Sequence, residues 1–165
     1  MALNATITLL IAGIFVPVSF GYFGMTGGSF SLQLDLPVLL VLVFSALGIL
    51  LAHELIHLFC IPDFIRSETT TLGITYGGGF VYTGEQLTRT RYLIISFAPF
   101  ITLSLILPVI LGMLNLLSPM IIGFLLLNSL GSSVDILIAL HVLIQVPSRA
   151  YLVSNGKDLY WKLDV

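Results

Sequence analysis

Charge is what this sequence has least of. Only 8% of its 165 residues are Asp, Glu, Lys or Arg, against 58% hydrophobic, and the mean hydropathy is +1.12. A soluble domain carries roughly 25% charged residues, so this chain cannot cover a soluble surface. Six Lys and Arg against eight Asp and Glu leave a net charge of −2, which excludes the basic face that nucleic-acid binding requires. Cys60 stands alone, which excludes an internal disulfide. With no histidine in an obvious base position apart from those assigned to the metal below, Cys60 is expected to pack at a helix end and not to act as a nucleophile. Internal repeats and low-complexity tracts are also missing.

What the chain has instead is long apolar runs. Four of them approach the ~20 residues needed to cross a bilayer: 5–24, 36–60, 92–117 and 120–146. Backbone polar groups in lipid must be satisfied by helices or a closed barrel, and unbroken runs of this kind argue for helices. The first run has no positively charged start and no clear cleavage site, so it is taken as a retained helix, not a signal peptide. The expected fold is an all-α integral membrane protein of one domain, 1–165, with about four transmembrane helices.

Four spans place both termini and the insertion 61–91 on one side of the membrane. That side holds Arg66, Arg89, Arg91, Arg149, Lys157 and Lys162, whereas the connections Met25 to Asp35 and Ser118 to Pro119 carry no basic residue. The positive-inside rule then makes the first side cytoplasmic, with a cytoplasmic tail over 147–165 and the cell membrane as the expected location. Within the insertion, Thr69 to Tyr76 and Phe80 to Thr83 flank Gly77-Gly78-Gly79. Thr, Ile, Tyr and Val around a glycine turn predict a short β-hairpin or an irregular loop. Pro62 ends the second helix, and Pro99 and Pro108 predict kinks in the third.

The chemistry is carried by His53-Glu54-Leu55-Ile56-His57, which falls inside an apolar run. Residues four apart share a helix face, so His53 and His57 can present imidazoles to one ion while Glu54 stands beside it. Two histidines supply nitrogen ligands for Zn²⁺, and Glu54 is placed to take a proton from water. An ionisable residue within a span costs ~2.5–3.5 kcal/mol at the helix centre on insertion scales, and such residues are usually functional. The bland alternative is the wet end of a helix whose histidines bond to neighbouring carbonyls.

A catalytic zinc needs a third protein ligand, and Asp135 is the first candidate, at a depth of roughly 15 Å from the cytoplasmic end of its span. Asn128 precedes it by seven residues on the same helix face, with Gly131 and Ser132 between. This polar stripe equally suits helix-to-helix hydrogen bonding. Asp63, six residues after His57, has the spacing of the longer HExxHxxGxxH motif, but Cys60 replaces its glycine. His141 is rotated about 120° from the polar stripe and suits a satisfied helix histidine. Glu68 and Glu85 are expected to be solvated.

These residues together resemble the site-2 protease type of intramembrane metalloprotease and, more closely, the small zincin-peptidase membrane family beside it. The likeness rests on His53 to His57, on the glycine-rich segment Gly78 to Glu85, on Ser96-Phe97-Ala98-Pro99, and on Asn128 to Asp135. Departures are visible. The family's distal motif spaces Asn and Asp by eight and carries prolines and Leu-Asp-Gly, whereas here the spacing is seven, Gly131 replaces a proline and Ile136 follows the aspartate. Nothing in the sequence corresponds to a PDZ domain.

The resemblance implies an intramembrane zinc metalloprotease acting on membrane-protein or peptide substrates in the lipid bilayer. In that reading His53, His57 and Asp135 bind Zn²⁺, Glu54 and Asn128 are catalytic, and Gly78, Gly79, Phe80 and Asn128 contact substrate. The alternative is a non-enzymatic metal-binding membrane protein, either a degenerate protease that retains clients or a metal-responsive regulator. A metal transporter would need ligands along a path through several spans, and the sequence offers one cluster.

Overall fold

Asp35 opens the first helix described by the computed structural model, which covers residues 35–75, 78–155 and 158–163. The expected span 5–24 lies outside the described residues. The Asp35 carboxylate accepts the Val38 amide at 2.9 Å, an N-cap that starts helix α1, Leu36–Cys60, where the apolar run begins. Past Cys60, Pro62 cannot continue the helix. Asp63 then turns the chain with φ of 51°, its carbonyl taking the Arg66 and Ser67 amides.

The third apolar run starts and ends earlier than the expected 92–117. It forms α2, Arg89–Pro99, a π-helical segment, Phe100–Ile106, and α3, Leu107–Met113. Pro99 and Pro108 therefore bracket a widened helix. Pro108 has no N–H for the Ser104 carbonyl and its ring would strike it, so the wider π turn relieves both faults. Asn115, at φ of 56°, closes the end, and its amide bonds to the Gly112 carbonyl.

The fourth run, expected over 120–146, is Pro119–Gln145 with an interruption at Ser132. It comprises α4, Pro119–Gly131, and α5, Ser133–Gln145. Ser118 caps it by accepting the Ile121 amide at 3.3 Å, with Pro119 in the first turn. Three helices among the described residues, Leu36–Cys60, Arg89–Met113 and Pro119–Gln145, are long and apolar enough to cross a membrane. Leu36 and Phe44 of α1 are each 68% exposed. A surface of that kind is compatible with a membrane protein.

The all-α expectation is corrected by two small antiparallel sheets. The predicted hairpin forms, with β1, Thr70–Thr75, pairing β2, Gly78–Thr83. Its base is tied by hydroxyls: Thr70 Oγ1 donates to Thr83 Oγ1 at 2.9 Å, and Thr69 Oγ1 donates to Glu85 at 2.9 Å. The stretch 147–165, expected to be a tail, also contributes strands. β4, Ala150–Ser154, lies between β3, Leu87–Thr88, and β5, Leu159–Leu163. These strands were missed because β3 has two residues and pairs only through a distant segment.

The chain divides into two compact units. In the first, which includes Phe100–Ser133, the π segment packs on α4. Ser104 is fully buried and accepts the Asn128 side-chain amide at 2.9 Å, with Leu103, Ile122 and Leu125 buried around them. Small and polar residues of this kind join helices where lipid offers no hydrophobic drive. In the second unit, Leu51–Pro99 with Val134–Val165, Val142, Val146, Ala150 and Leu152 form a core against Tyr92 and Leu93. Leu152 is 1% exposed. Leu152→Ala is expected to destabilise the second unit by about 2–5 kcal/mol, measured by thermal unfolding in detergent micelles.

Candidate metal centre

The last turns of α1 lie in the second unit and present His53 and His57 on one face. Their rings meet edge to face with centroids 4.9 Å apart, and both residues are buried. Asp135, in the first turn of α5, brings its Oδ2 to 3.2 Å from His53 Nε2 and 3.6 Å from His57 Nε2. Ligand atoms about 2.1 Å from one tetrahedral ion lie about 3.4 Å from each other, so these separations fit a shared ion. One donor atom from each of the three residues falls within 4.8 Å of the others. Two imidazoles and a carboxylate, leaving a fourth position open, are the donor set of a catalytic zinc.

His57 is oriented from behind. Its Nδ1 lies 2.9 Å from the Ile95 carbonyl of α2, so Nδ1–H donates there and Nε2 keeps its lone pair for a metal. In an unbroken α-helix the Ile95 carbonyl would take the amide of the residue four later. That residue is Pro99, which has no N–H to give. The proline thus removes the competitor for the carbonyl that positions the His57 ring.

Glu54, next to His53 on the same helix, is also buried. The backbone of β2 is laid directly on it: a Cβ at Gly79 would stand 2.5 Å from Glu54 Cγ and 2.8 Å from Oε1. No side chain fits between them. Gly78, one residue before, has φ of 134°, a conformation that disfavours every other residue. Phe80 does not point at Glu54. Its ring lies over Gly73, its partner across the hairpin, and a Cβ there would meet Phe80 Cζ at 2.5 Å.

The other candidate residues lie elsewhere. Asn128 belongs to the first unit and bonds to Ser104. Asp63 is in the turn after α1 and His141 is exposed on α5, and neither belongs to the donor group. Glu85 is taken up by Ser67 and Thr69. One participant was missed from sequence. The Ile95 carbonyl is backbone and carries no side-chain signal beyond the proline four residues on.

A protein-family model described as "Putative zincin peptidase" matches residues 46–151, a range that encloses His53, Glu54, His57, Gly79, Pro99 and Asp135. No curated protein and no solved structure matches the chain.

Pro99→Ala restores an N–H aimed at the Ile95 carbonyl and is expected to weaken zinc binding about 10- to 100-fold. Competition against a chromophoric chelator measures this. Unchanged affinity in a folded variant would show that the His57–Ile95 bond does not depend on the proline.

Proposed function

The chain belongs to the zincin-peptidase family, and on that premise we propose that it is an intramembrane zinc metalloprotease of the site-2 protease kind, cleaving peptide bonds of membrane-protein or peptide substrates. The observation that carries the reading is the convergence of His53, His57 and Asp135 around one carboxylate oxygen, with Glu54 adjacent. Zinc, when bound by those three residues, supplies Lewis acidity that polarises a carbonyl and acidifies water.

Glu54 then acts as the general base, taking the proton of the attacking water and returning it to the leaving amine. Its burial against the Gly79 backbone keeps bulk water away from the carboxylate and limits its rotamers. The two-stranded sheet ends at β2, so an unwound substrate segment can add along Gly78, Gly79 and Phe80 as a further strand. Strand addition holds a peptide extended, which is the form a membrane helix must reach before its backbone can be cut.

The positive-inside distribution of Lys and Arg supports a site opening toward the cytoplasm of the cell membrane, with both termini on that side. Family membership together with a complete base and donor set favours turnover over the alternative of a metal-binding protein that only retains clients.

In proteoliposomes carrying single-span peptides, Glu54→Gln is expected to lower cleavage about 10²- to 10⁴-fold while zinc content, read by atomic absorption, stays at the wild-type level. Retained zinc with full cleavage would remove Glu54 from this role. Gly79→Ala forces either β2 or Glu54 to move, and a displacement near 1 Å at such a site costs roughly 10²-fold in rate. The same assay is expected to show that loss with zinc content unchanged.

A further inference from the structure

The C-terminal sheet has an apolar face larger than the helix surface it covers. On β4, Ala150 and Leu152 are 2% and 1% exposed, packed on Val142 and Val146 at the end of α5 and on Tyr92 and Leu93 near the start of α2. Residues directly opposite in an antiparallel pair point to the same face. The register Leu152↔Trp161 and Ala150↔Leu163 therefore puts Trp161 and Leu163 on that helix-facing side. Yet Trp161 is 48% exposed and Leu163 50%. The face runs on past its packing partners.

Where it runs on is set by those partners. The first turn of α2 and the last turn of α5 are the ends of two helices long and apolar enough to cross a membrane, Arg89–Met113 and Pro119–Gln145. The sheet is anchored at that boundary. Tryptophan, with an apolar ring and one N–H, is enriched at this level of a bilayer. Exposed Arg149, just before β4, and exposed Lys162, beside Trp161 on β5, supply the positive charge that lipid phosphates attract. Lys162 can reach them by bending its long stem past the strand.

We propose that the sheet of β3, β4 and β5 is seated on the bilayer interface, with Trp161 and Leu163 among the headgroups and upper acyl chains and with Arg149 and Lys162 at the phosphates. The occupant of the apolar strip is lipid. The inference rests on the membrane reading of the helices and is independent of peptidase chemistry.

The chain contains one tryptophan, so its intrinsic emission reports Trp161 alone, with no substitution needed. The protein is reconstituted into vesicles of phosphatidylcholine and phosphatidylglycerol whose acyl chains are brominated near the glycerol end, near the methyl end, or not at all. The expected result is strong loss of emission with glycerol-end bromine, a smaller loss with methyl-end bromine, and protection from aqueous iodide. Full emission in both brominated lipids overturns the proposal. If iodide also quenches, the strand is solvated; if it does not, a second copy or another protein covers it. Stronger loss from methyl-end bromine likewise overturns an interfacial seat. Release of the protein from vesicles by alkaline carbonate would instead overturn the membrane reading itself, a distinct failure.

Discussion

Asp135 Oδ2 stands 3.2 Å from one imidazole and 3.6 Å from another, and an anion gathered among buried nitrogens must be balanced by positive charge. In a low-dielectric surrounding that requirement is severe, because polar groups left uncompensated there cost several kcal/mol each. The two imidazoles stand where that balance is needed, and this one oxygen constrains the elements around it. The end of α1 must face the start of α5, His57 must turn its Nε2 inward, and Glu54 must pack against something too small to displace it. Each of these is observed.

The same economy governs backbone groups. A proline inside an apolar helix leaves a carbonyl without its usual amide, an expense in lipid unless another donor arrives. At Ile95 the donor is the ring of His57, one of the three candidate donors, so the defect and the orientation of His57 compensate each other. Tyr82 makes a comparable tie at longer range. Its hydroxyl donates to the Ser154 carbonyl of β4 at 3.2 Å, joining the hairpin beside Glu54 to the C-terminal sheet. The hairpin is thus held at both its base and its flank.

Much of this was readable in advance, and for identifiable reasons. Helix α1 begins and ends where its apolar run does because Asp35 and Pro62 punctuate it. The spacing of His53 and His57 fixes their common face whatever the tertiary structure. Asp135 could be nominated because a carboxylate in an apolar helix needs a partner. The hairpin was visible in its glycine triplet. The strands β3, β4 and β5 were not, since Leu87–Thr88 is two residues long and Ala150–Ser154 gains its meaning only from helix ends distant in sequence. The stripe from Asn128 to Asp135 crosses an interruption at Ser132 that divides the run between two units. Counting along an ideal helix could not anticipate that.

The π-helical segment, Phe100–Ile106, alters what counting can tell in a second way. A π turn holds more residues than an α turn, so it acts like a residue inserted into a regular helix. Each such residue rotates everything beyond it by roughly 100° relative to uninterrupted α geometry. Ser96 and Gly112, both buried, belong to two different numbering registers on what looks, in sequence, like one span. An alignment of this segment gains or loses its helical phase with a single gap.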